Sequence, residues 1–77
     1  MRLLLLEDDT ILGQGLRDFL QSDGYVVDWV KTIAQAKACL SEPYDIWLFD
    51  WNLPDGSSVE LLITLRNQGH STPAILL

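Results

Sequence analysis

The sequence predicts an α/β protein built on an open, doubly wound parallel sheet. Three observations predict it. Short apolar or β-branched runs alternate with segments of helical periodicity, in the order β-α-β-α-β-α-β. Two of the runs, Leu3–Leu6 and Ile46–Phe49, are apolar at every position, as strands buried on both faces are. Acidic residues follow directly on both of these runs. Strands joined through helices form right-handed parallel crossovers, and such sheets bind ligands at the carboxyl ends of their strands.

Each element has its own signal. Leu3–Leu6 is the first strand. Asp9 or Thr10 can cap the helix that follows, where Leu12, Leu16, Phe19 and Leu20 form one apolar stripe. Gly24 stands where a helix-ending glycine belongs. Tyr25–Val30, β-branched and aromatic, is the second strand. Thr32 with Gln35 makes a capping box for a short helix over Ile33, Ala36 and Leu40, and Pro43 lies past its end. Ile46–Phe49 is the third strand. Pro54 and Gly56 make Asn52–Ser58 a loop. Ser57 with Glu60 forms a second capping box for a helix from about Ser58 to Gln68, which Gly69 ends. Its apolar residues, Val59, Leu61, Leu62, Ile63 and Leu65, cover more than one stripe. Pro73 leads into a fourth strand, Ala74–Leu77.

Composition bounds the possibilities. The chain has 77 residues, short for one domain, yet 48% of them are hydrophobic. One cysteine, Cys39, allows no internal disulfide, and one histidine, His70, rules out a Cys/His zinc site. Eleven acids against five bases give a net charge of −6, a poor match to phosphate backbones or anionic membranes. No apolar stretch approaches the roughly 20 residues of a membrane span, and the N-terminus has no signal-peptide pattern. A cytoplasmic location and an unsatisfied apolar surface are the expectations.

The acids carry the chemistry. If the first and third strands are neighbours, Glu7, Asp8, Asp9 and Asp50 converge at one sheet end. Like charges so close raise a pKa or recruit a cation, and oxygen donors suit magnesium. An aspartate beside such an ion can attack a phosphoryl group and form an acyl phosphate. A plainer reading leaves Glu7, Asp8 and Asp9 only favouring the first helix N-terminus.

The segment Leu3-Leu-Leu-Leu-Glu-Asp-Asp9 and the segment Asp45-Ile-Trp-Leu-Phe-Asp-Trp-Asn-Leu-Pro54 resemble the two signatures of response regulator receiver domains, OmpR/PhoB-type class. The resemblance continues through Gly24–Trp29 and runs to Leu77. It implies a flavodoxin-like (CheY-like) fold, truncated after the fourth strand, so that 1–77 is a partial receiver domain. It implies Asp50 as phosphoacceptor. It implies Mg2+ held by Asp8, Asp50 and the backbone carbonyl of Asn52, with Glu7 completing the pocket through water. Asp9 is then a helix cap. The donor would be a sensor histidine kinase or a small acyl phosphate, and transcription would be controlled through an output domain outside these residues. The domain is a switch, not a turnover enzyme. Two departures stand out: the family has glycine where Ser58 stands, and its later hydroxyl and lysine lie beyond Leu77.

Two other functions compete. Leu48-Phe-Asp-Trp-Asn52 also resembles haloacid dehalogenase phosphatases, but Asn52 occupies the place of their general acid and cannot transfer a proton. A structural fragment that self-associates, as a dimer or by domain swapping, is the third reading. Elsewhere, Trp47 and Phe49 face away from Asp50 by period-two alternation and belong to the core. Trp29 reads as structural, Trp51 as a packed rim aromatic, Cys39 as a small buried hydrophobe and His70 as a solvent-facing turn residue.

Overall fold

The computed structural model describes residues 1–77. The main sheet is formed by β1 (Arg2–Leu6), β2 (Val26–Val30), β3 (Ile46–Phe49) and β6 (Ala74–Leu76). The helices are α1 (Thr10–Ser22), α2 (Ile33–Ala38) and α3 (Ser58–Asn67). A small hairpin, β4 (Asn52–Leu53) and β5 (Gly56–Ser57), occupies the segment expected to be a loop. The four-stranded sheet runs β2-β1-β3-β6, every pair parallel. Strand order therefore reverses between β1 and β3, the switch point at which open sheets bind ligands.

Continuous apolar runs become the two central strands because both of their faces are covered. Leu4, Leu6, Trp47 and Phe49 point to the side of α2 and α3, where they meet Ile33, Ala36, Leu61 and Leu65. Leu3 and Leu5 point to the other side with Val27, and Leu16, Leu20 and Trp29 pack there. Trp47 and Phe49 stack with ring centroids 5.5 Å apart. Both rings lie in the core, as alternation predicts.

The caps decide where the helices begin and end. Asp9 accepts the Leu12 N–H, and Thr32 accepts the Gln35 N–H. Gly24 and Gly69 adopt φ of 91° and 90°. That left-handed turn lets Tyr25 N–H reach the Leu20 carbonyl and His70 N–H reach Leu65, closing both helix ends.

Several expectations need correction. In neither capping box does the second residue bond back to its cap. The Gln35 side chain accepts from Lys31 N–H, one residue too early, and Ser57 caps through Val59 N–H without Glu60. The α1 stripe is only half used: Leu16 and Leu20 pack on the sheet, but Phe19 is 66% exposed. Helix α2 stops at Ala38, and Leu40 joins the core from the turn beyond it. His70 is half-buried against the Trp47 ring, its carbonyl held by Arg66.

The amino end of the sheet is clasped by Arg2. Its guanidinium donates to Asp28 at 2.9 Å and to Glu42 at 3.1 Å, and it lies over the Tyr44 ring. Tyr44 O–H donates to the same Asp28 oxygen at 2.6 Å. The clasp ties β1 and β2 to the segment before β3, leaving the opposite end for chemistry.

Candidate functional site

At the carboxyl ends of β1 and β3 the chain places Glu7, Asp8 and Asp50, with ligand oxygens all within 4.8 Å of one another. Pairing of Leu6 with Phe49 brings these ends level, and Asp50 N–H continues the ladder to the Leu6 carbonyl at 2.9 Å. The three carboxylates differ in exposure. Asp8 is exposed, Asp50 is half-buried and Glu7 is 2% exposed.

Glu7 is the unusual member. Its Oε1 accepts the Asp9 N–H at 3.0 Å, whereas Oε2 is buried with no hydrogen-bond partner. Burial pushes its carboxyl above the usual range, and the charges of Asp50 and Asp8 push it the same way. Asp50 is held differently: its Oδ1 accepts the following Trp51 N–H at 2.9 Å.

The remaining expected residues are less tightly gathered. Asn52 lies in β4, exposed and paired with Ser57. Asp9 points its carboxylate at Leu12 N–H, the cap role expected of it. Trp51 borders the site but is 51% exposed, so it is not a packed aromatic. Its backbone does the holding: the Trp51 carbonyl accepts both the N–H and the hydroxyl of Ser58, at 3.0 and 3.1 Å. Ser58 is fully buried. The hydroxyl at the position where glycine was expected thus anchors the loop that carries Asp50.

The roles of two residues escaped sequence reasoning. Asp55 accepts the N–H groups of Ile33 and Ala34 at 2.9 and 3.0 Å, capping α2 from across the molecule. Nothing local marks an acid after a proline as the cap of a helix more than twenty residues earlier. Trp29, read only as structural, donates its indole N–H to the Glu7 carbonyl at 2.9 Å.

A parallel sheet with this strand order and clustered carboxylates at its switch point defines a flavodoxin-like class of α/β domain. The response regulator receiver domain family matches residues 3–77, and the chain belongs to that family. It is 44% identical over 80 residues to response regulator RppA of Synechocystis, covering 100% of this chain and 34% of that protein. Response regulator protein PmrA of Pseudomonas aeruginosa is 41% identical over 78 residues, with 100% of this chain and 35% of PmrA covered. The chain thus spans about a third of the length of the curated relatives it matches. Among solved structures, the MaeR response regulator bound to beryllium trifluoride superposes with TM-score 0.92 at 29% identity, covering 100% of this chain and 66% of that one. The non-phosphorylated HemR receiver domain of Leptospira biflexa gives 0.87 at 36% identity, covering 97% and 61%.

Proposed function

We propose that this chain is the phosphoacceptor part of a two-component response regulator and takes a phosphoryl group on Asp50. The observation that carries the reading is the placement of Asp50 at the switch point, within 4.8 Å of Glu7 and Asp8. With Oδ1 engaged by the Trp51 amide, Oδ2 is the nucleophilic oxygen. It attacks phosphorus, the bond from phosphorus to the donor's leaving group breaks, and the product is an acyl phosphate on Asp50. The donor is a sensor histidine kinase, whose imidazole leaves, or a small acyl phosphate.

The donor set fits a hard divalent cation such as Mg2+. Every ligand is oxygen, and the unpartnered buried Oε2 of Glu7 is a polar atom without a use inside the protein alone. Asp8 and Asp50 would hold the ion directly with the Asn52 carbonyl, and Glu7 would reach it through water. When bound, the ion supplies positive charge against the oxygens of the transferring group. Residues 1–77 are a partial receiver in this reading, acting in the cytoplasm on transcription through an output domain outside these residues. The names of the relatives support this: QseB of Escherichia coli O157:H7 is a transcriptional regulatory protein, 37% identical over 78 residues.

The test is phosphoryl transfer to the full-length protein from acetyl phosphate with Mg2+. Label should enter as a hydroxylamine-labile adduct and vanish in Asp50→Ala. Label retained at wild-type level in Asp50→Ala would refute the assignment.

A further inference from the structure

We propose that Trp29 is a positioning residue for Glu7: seated in the notch that Gly13 leaves on α1, its indole N–H fixes the main chain from which the Glu7 carboxylate enters the acidic pocket. The significance of that pocket rests on the proposed function above; the positioning itself is a property of the fold.

The Glu7 backbone is pinned on both sides by β2. Its N–H donates to the Val30 carbonyl at 3.0 Å, and its carbonyl accepts the Trp29 indole N–H at 2.9 Å. That carbonyl belongs to the peptide unit joining Glu7 to Asp8, so one hydrogen bond orients the link between two of the three clustered carboxylates. The indole commits its single polar atom to this carbonyl.

The ring has little freedom to be elsewhere. A Cβ on Gly13 would lie 2.3 to 2.6 Å from three atoms of the indole, so any side chain there must displace it. Gly13 is the one buried residue of α1. The Arg17 guanidinium and the Lys31 ammonium lie 5.3 and 5.1 Å from the ring centre. Lys31 is in turn tethered to the Thr10 hydroxyl at 2.9 Å. Helix α1, β2 and the acidic loop therefore meet at one side chain.

The proposal makes residues on different elements act through one route. Trp29→Phe keeps an aromatic ring for the cations and deletes the donor together with the second ring of the indole. Gly13→Ala keeps the donor and evicts it. The full-length wild type, both variants and the double variant would be compared by amide NMR, first without metal and then through a Mg2+ titration. The metal-free readout is Asp9, whose N–H is held by Glu7 Oε1. Its amide should shift and exchange faster in each single variant. Mg2+ affinity, read from amides of Asp8 and Asp50, should fall about ten-fold, as when an outer partner of a ligand is lost. The double variant should be no worse than the weaker single one.

An unmoved Asp9 amide in Trp29→Phe would overturn the proposal, as would effects of the two substitutions that simply add. If Gly13→Ala fails to fold, Trp29→Phe decides by itself. A wild type whose Asp8 and Asp50 amides ignore Mg2+ would refute the metal reading instead, and the Asp9 amide would still decide the role of Trp29.

Discussion

Glu7 and Asp28 are two carboxylates whose surroundings push them in opposite directions. Burial raises Glu7, with Asp50 and Asp8 adding to it. The Tyr44 hydroxyl, and after it the Arg2 guanidinium, lower Asp28 against the opposing effect of burial. The two therefore contribute opposite slopes to stability against pH. A raised acid binds its proton more tightly folded than unfolded, so stability falls as pH rises from the ordinary glutamate value, about 4.3, through the raised one. The lowered Asp28 contributes stability that is fully present above about 3.9 and is lost as pH drops through its folded value. Glu7→Gln removes the first slope while keeping the side chain's shape. In metal-free buffer it should raise the thermal midpoint at pH 7, with an advantage that shrinks toward pH 4. With the proposed metal site, added Mg2+ should narrow that advantage, because the variant keeps Asp8 and Asp50 to hold the ion but lacks the Glu7 charge beside it. Melting curves across that pH range check both, and a Gln variant less stable than wild type at pH 7 without metal would refute the account.

At the scale of elements, the strands were legible because apolar side chains cover both faces of each central strand, which leaves unbroken runs in the sequence. The acids after two such runs marked a candidate site on the condition that β1 and β3 are neighbours, and the structure pairs these strands and brings Glu7, Asp8 and Asp50 together. Caps supplied from a distance were not legible. Thr32 and Gln35 look self-sufficient in sequence, yet the amides of Ile33 and Ala34 are satisfied by Asp55 from the turn between β4 and β5. The same blindness applies to Trp29, whose partner is a backbone carbonyl with no side-chain signature. The exposed half of the α1 stripe misled for another reason. Periodicity reports which residues share a face, and only Leu16 and Leu20 of this one pack on the sheet. The distant cap gives a prediction of its own. Helix α2 has only six residues, too few to persist without tertiary support. Asp55→Ala should therefore accelerate amide exchange at Ile33 and Ala34 before any other part of the domain, and lower the thermal midpoint by about 5 °C. Unchanged exchange at those two amides would show that Thr32 alone caps the helix.

Over the whole molecule the sheet is covered unevenly. Helices α2 and α3 enclose a core of ten buried residues on one face, while the face under α1 holds three. Beside α1 an apolar hollow of about 190 Å³ is lined by Leu3, Leu20, Tyr25, Ile46, Leu48 and Ile75, together with Met1. It adjoins the outer edge of β6, whose backbone pairs only with β3. An open edge next to an open apolar face invites a second strand and a second surface. Against this stands a net charge of −6, which repels a second copy. Apolar burial acts at contact, whereas repulsion between exposed charges is screened beyond about 8 Å at physiological salt. The 77-residue chain should therefore self-associate, and more strongly as salt is raised. Ile75, half exposed on β6, is placed to be buried in that contact. Sedimentation equilibrium of the chain at millimolar concentration should give a mass above the monomer's in 0.15 M salt. Ile75→Lys should return the mass to that of the monomer by setting a charge at the open edge. A wild-type chain that stays monomeric at every salt concentration would mean that α1 and the local charge already protect the face.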